Sequence, residues 1–324
     1  HSTSSAASDV YKRQVDACPV LNLLWEMAPC LLGGALIGRW RPQWIAPLAL
    51  PLVRFGVPLS LMGLLLHGGI NGSLFGMALL AVAAIALMLV ILHLLSSGIA
   101  ALGQPDLQMG SCIGNTAYFG IPATLALLPP EALAVSIGYD LGATLLTWSL
   151  GPLWLSRRGQ TGTTRGRWRD LLGHLSASPA TRGLLGALIV KATPWHEPIR
   201  DALWLPSRAV IVLALVVVGM RLGDIAARKL KSPGVDLTAP LIYKLVVFPT
   251  LMLLISLAFP LPGYARQALV LQAAAPTAIS VLLIAESEQV NSARPAQLIL
   301  ISTLVALITV PIWGLLISPL NGTP

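Results

Sequence analysis

The feature that most constrains this chain is a succession of apolar blocks, each roughly 18–24 residues long, separated by short polar breaks. A helix rising 1.5 Å per residue needs about that length to cross some 30 Å of hydrocarbon. In lipid every backbone polar group must be satisfied internally, so only helices and closed barrels can span. Transmembrane strands would appear as short alternating segments, and the blocks do not alternate. Composition agrees. Apolar residues make up 55% of the 324 positions and charged residues only 10%, with a mean hydropathy of +0.77, too little charge to cover a soluble surface. The expected class is an all-α membrane protein of about ten transmembrane helices.

The candidate spans are 19–38, 44–66, 74–99, 109–128, 132–155, 183–195, 209–222, 240–259, 266–285 and 296–317, the sixth and seventh being short. Taking the loops alternately, thirteen Lys/Arg residues fall on one side, among them Arg39, Arg41, Arg157, Arg169, Arg221, Lys229 and Arg294. Four fall on the other: Lys191, Arg200, Arg208 and Arg266. Cytoplasmic loops carry the positive excess, so both termini are expected outside, in a multi-pass protein of the bacterial inner (plasma) membrane. The net charge of +8 is thereby explained without nucleic acid as a partner. The Arg157–Arg169 region, with Trp168 inside it, could pass for an RNA-binding arm but reads better as a topology determinant. Residues 1–14 are polar, and 9–14 read like a translated sequencing-library adapter, so they are set aside. Cys18, Cys30 and Cys112 lack metal-ligand spacing, and no metal or cofactor is expected.

A basic loop at 156–182 divides the chain into a first five-helix unit (15–155) and a second (183–324). An odd number of spans per unit forces the two to insert with opposite orientation, which is the arithmetic of a 5+5 inverted repeat. Within these units the fourth and ninth spans are both interrupted. The fourth contains Gly114-Asn-Thr-Ala-Tyr-Phe-Gly-Ile-Pro122, and the ninth contains Gln272-Ala-Ala-Ala-Pro-Thr277. Proline removes a backbone donor and crowds the preceding turn, and glycine weakens the helix. A lone mid-span proline is ordinarily a kink. Paired breaks at corresponding positions, each beside a side-chain amide, point to a midplane site at crossing broken helices 4 and 9. Half-helix N-termini there attract an anion in a low dielectric, and Asn115, Thr116, Gln272 and Thr277 offer hydrogen bonds. A small carboxylate is the natural guest.

The strings Asn115-Thr-x-x-x-Gly-Ile-Pro122 and Gln272-Ala-Ala-x-Pro276 resemble the fourth- and ninth-helix signatures of the auxin efflux carrier family, which includes plant PIN proteins and bacterial permeases. Ser178-Pro-Ala-Thr181 with Leu184-Leu-Gly186, Val53-Arg-Phe-Gly-Val-Pro-Leu59, and Ser302-Thr-Leu304 continuing to Pro311 extend the likeness. It covers nearly everything from 19 to 317. The sixth span departs from it, with Ser178 where Asn is usual, and so does the Glu286-Ser-Glu288 stretch. The resemblance implies a five-plus-five fold with substrate bound at the crossing, and transport of organic anions such as auxin, malate or malonate. The substrate-binding set it implies is Asn115, Thr116, Tyr118, Pro122, Gln272, Pro276 and Thr277.

Charges within spans are functional candidates because an unpaired charge in hydrocarbon is expensive. Asp140 sits about nine residues, or ~13 Å, into the fifth span. It is expected either to couple transport to protons or to bond structurally to Ser136 or Thr144. Arg54 and Glu26 are expected to pair across adjacent helices, with an anion-binding role for Arg54 as the alternative. Lys244, near the cytoplasmic end of the eighth span, is expected to snorkel outward. Gly34 and Gly38 could allow close helix packing. No Gly-Lys dipeptide occurs, so no Walker loop is present, and no constellation suggests catalysis.

The expected function is a secondary carrier of a small organic anion working by alternating access. Its partners are the lipid bilayer, the anion, and H+ or Na+ as coupling ion, with a homodimer left open. An ion-coupled carrier of the bile-acid-symporter or sodium/proton-antiporter type is the alternative. Antiporters place paired acids at the crossing, and neither break has one. A non-transporting receptor on the same scaffold is the third reading.

Overall fold

The computed structural model describes residues 19–70, 72–155, 173, 179–227 and 236–317. The expectations for residues 1–14 and for most of the basic loop lie outside these. The helices are α1 (Pro19–Trp40), α2 (Pro42–Gly68), α3 (Gly72–Leu95), α4 (Pro105–Gly110), α5 (Thr116–Leu127), α6 (Ala132–Leu155) and α7 (Pro179–Lys191). There follow α8 (His196–Ala227), α9 (Thr238–Leu257), α10 (Gly263–Ala274), α11 (Ile279–Ser287) and α12 (Ala293–Ile317). No strand occurs among the described residues. Among the described residues, six helices, α2, α3, α6, α8, α9 and α12, are long and apolar enough to cross a membrane. Large apolar side chains such as Leu50, Leu79, Leu94, Leu254 and Ile308 stand exposed along them, a surface suited to lipid.

The fourth candidate span is the pair α4 and α5, and the ninth is the pair α10 and α11. The seventh is much longer than the sequence suggested. Arg200, Pro206 and Arg208 interrupt its apolar run, but they lie within one continuous helix of 32 residues. The sixth begins earlier, at Pro179, a residue whose fixed φ and missing N–H suit a helix start.

Three prolines leave the same mark on three helices. A widened π turn runs over Leu52–Gly56, Thr116–Gly120 and Tyr243–Val247, and in each case a proline (Pro58, Pro122, Pro249) follows two residues after the turn ends. The extra residue moves the preceding carbonyl away from the proline ring, which would otherwise crowd it. Two of the carbonyls that lose their usual donor find another. Arg182 Nη1 donates to the Arg54 carbonyl at 3.3 Å, and Trp313 Nε1 donates to that of Leu245 at 2.9 Å.

Close approach of backbones fixes the main lateral packing. A Cβ on Gly34 or Gly38 of α1 would run into the carbonyls of Val216 and Met220 on α8. A Cβ on Gly219 or Gly223 of α8 would run into those of Leu31 and Ala35 on α1. The two helices therefore interlock two small-xxx-small seams, where lipid-embedded helices gain by contact alone. The sequence flagged only the first seam. Gly138 and Gly142 of α6 meet the backbone of α3 at Leu74 and Ala78 in the same way. At one end of the bundle Asp106, fully buried, accepts two hydrogen bonds from Arg294, at 2.9 and 3.1 Å, tying α4 to α12. Removing one member of such a buried pair typically costs about 3–5 kcal/mol.

A candidate binding site at the crossing of two broken helices

Neither broken helix can continue, because Gly114 and Pro276 unwind the chain between its halves. The freed backbone groups find each other. Asn115 N donates to the Pro276 carbonyl at 2.7 Å and Ala278 N to that of Ile113 at 3.0 Å, making an antiparallel bridge between Gly114 and Thr277. Two strands of main chain thus replace the missing helical turns, each satisfying the other in the interior.

The two helix ends that stop at the crossing are capped by side chains. Thr277 Oγ1 donates to the Gly110 carbonyl at 2.8 Å, at the end of α4, while Thr277 N donates to Ser302 Oγ of α12 at 3.1 Å. Lys244 Nζ donates to the Ala273 carbonyl at 2.6 Å, at the end of α10. The two helices that start there face open space. Asn115, Thr116 and Ala117 at the start of α5, and Ala278, Ile279 and Ser280 at the start of α11, border one cavity. Its free space is about 870 Å³, mouth included. Leu52, Val57, Leu61, Val217 and Trp148 make most of its wall apolar.

Asp140, buried, lies on that wall with Thr144 one helical turn on. Thr116 Oγ1 donates to the Asp140 carboxylate, so α5 and α6 are joined at the cavity wall. Of the two helical partners expected, Thr144 also bonds the carboxylate, whereas Ser136 instead bonds Thr124 at 2.8 Å. Arg221 of α8 borders this cavity and also a second hollow lined by Pro42, Asp224, Glu286 and Ala293. Arg221 thus stands between the two hollows.

The structure brings together Asn115, Thr116, Tyr118 and Asp140 of the residues expected from sequence. Pro276 and Thr277 hold the crossing, and Pro122 follows the π turn of α5, but none of the three borders the cavity. Gln272 is wholly buried against Gly120, and neither polar atom of its side chain has a protein hydrogen-bond partner. Arg54 is exposed beside Phe55, its guanidinium carbon 5.5 Å from the ring centre, and does not border the cavity. The Glu26 side chain lies outside the described residues. Lys244 corrects the expectation directly. It is fully buried, and its side chain reaches inward to the crossing instead of snorkelling.

Arg221, Trp148 and Ser280 were missed. Arg221 counted only as a topology charge near a span end, and the other two look like ordinary apolar-helix residues until the helices are laid side by side.

Comparison with known proteins gives a consistent picture. A family model described as membrane transport protein matches residues 53–314. An uncharacterized transporter of Methanocaldococcus jannaschii is 25% identical over 209 residues, 63% of this chain and 65% of the relative. Another, of Methanothermobacter thermautotrophicus, is 25% identical over 214 residues, 65% of this chain and 67% of the relative. The chain thus spans about two thirds of the length of the curated relatives it matches.

Proposed function

Because the chain belongs to the membrane transport protein family, the one its two broken-helix strings resemble, we propose that it is a secondary carrier moving a small organic anion by alternating access around the crossing. The observation that carries this reading is the polarity of the crossing. Both helix starts, with their partial positive charge, border the cavity, while both helix ends are occupied by donors. A carboxylate fits that field, and the apolar wall suits the body of a small organic molecule. Asn115 and Thr116 supply directional contacts, and Asp140 is the candidate proton-coupling group.

The five-plus-five arrangement is part of the proposal. Its support is that α1 packs on α8 while α7 packs on α2, the exchange that two inverted units would generate. With the Lys/Arg excess on the cytoplasmic side of a bacterial inner membrane, the cavity beside Arg221 is inward-facing.

Purified protein in proteoliposomes should accumulate at least one of labelled malate, malonate and indole acetate, saturably, and more slowly when the lipid-matched Asn115→Leu variant is used. Saturable binding without uptake of any of them would instead favour a receptor on this scaffold. Sodium-dependent uptake would identify the coupling ion as Na+, and uptake driven by an imposed pH gradient would identify it as H+.

A further inference from the structure

Lys244 is a buried amine that the transport scheme uses only as a donor to the end of α10. It leaves the π turn of α9 and crosses to the break between α10 and α11. There its Nζ contacts the Ala273 carbonyl at 2.6 Å and lies 5.0 Å from the Phe248 ring centre. A Cβ placed on Gly114 would stand 3.2 Å from the same nitrogen, so the side-chain end bonds one broken segment and lies beside the other. No carboxylate bonds it among the described residues. Its counter-charge is the end of α10, whose last carbonyls lose their helical partners because the chain unwinds at 275–278.

Carbonyl ends of this kind, at unwound midplane helices, are where carriers hold a coupling sodium ion or proton. An ammonium group and a small alkali cation seek the same oxygens, and here the ammonium is tethered. We infer that Lys244 is a built-in cation standing in the position of a coupling ion at the break of α10, so that this half of the crossing is charge-balanced without sodium or potassium. The inference concerns the same crossing as the transport reading and rests on it only for the uptake arm of its test.

The decisive variants are Lys244→Ala, which opens room for a small cation, and Lys244→Met, which fills the space without charge. Thermal unfolding of the purified protein in detergent would be followed in sodium, ethylammonium and choline chloride at equal ionic strength. The wild type should melt at the same temperature in all three. The alanine variant should melt roughly 5 °C lower in choline and recover at least half of that, saturably, in ethylammonium or sodium. An alanine variant indifferent to the cation, or a wild type that itself gains from sodium over choline, would overturn the assignment. The methionine variant should be folded, indifferent to cations, and at least ~10-fold slower in uptake; uptake at the wild-type rate would equally overturn it. Should the wild type move none of the tested anions, the transport reading fails and the melting series still decides the role of Lys244.

Discussion

Asp140 shows how much a single side chain at this depth can decide. A carboxyl group among apolar helices is held by two hydroxyls, those of Thr116 and Thr144, and borders the cavity. Loading it with a proton removes the charge that hydrocarbon disfavours, so its occupancy can be tied to the direction the site faces. Asp140→Asn should therefore reduce uptake driven by an imposed pH gradient about tenfold and flatten the pH profile of transport. An unaltered profile would take Asp140 out of the coupling. The place of Asp140 within a helix was legible in the sequence, because the fifth candidate span and α6 coincide at 132–155. The reach of Lys244 was not. Counting placed its Cα near one end of a helix, but a π turn and a long side chain carry its charge to the centre.

Elements are punctuated by proline and glycine, and the two act differently. Pro276 denies α10 an N–H with which to continue, and its carbonyl accepts the bond from Asn115 N. Pro276→Ala restores the donor and lets a helix re-form through 275–278, at the expense of the pairing with 113–115. Transport should fall at least about tenfold while expression is nearly unchanged; normal transport would remove the crossing from the mechanism. Glycine acts by what it omits. Gly38→Ala drives a methyl group into the Met220 carbonyl and should lower stability by about 1–3 kcal/mol. Gly33→Ala, on the same helix with nothing within 4 Å, should be neutral or gain up to about 1 kcal/mol. Thermal unfolding of the two variants in detergent separates a seam from a mere propensity effect, and equal melting temperatures would deny the seam. The breaks were readable because proline announces itself. The partner of Gly34 and Gly38 was not, since a small-xxx-small pattern names a face without saying what lies against it.

For the whole molecule, span length and charge placement settle class and suggest orientation, while lateral arrangement depends on contacts that no local pattern encodes. The helical membrane class follows from block length alone, and the break positions follow from composition within blocks. The cavity does not, because its wall is assembled from α2, α5, α6, α7, α8 and α11. Orientation makes a separate prediction. Single cysteines placed in 156–182, in a chain whose own cysteines are changed to serine, should react with impermeant reagents from the cytoplasmic side only. Labelling from outside would invert the topology and turn the cavity outward.

The interlocked glycine seams of α1 and α8 also bear on biosynthesis. A ribosome delivers α1 to the bilayer well before α8 exists, so α1 waits among lipids with its narrow face uncovered. Final assembly of this side of the bundle is therefore postponed until the basic loop and α7 have been made, and α1 outlasts several later helices before it finds its partner.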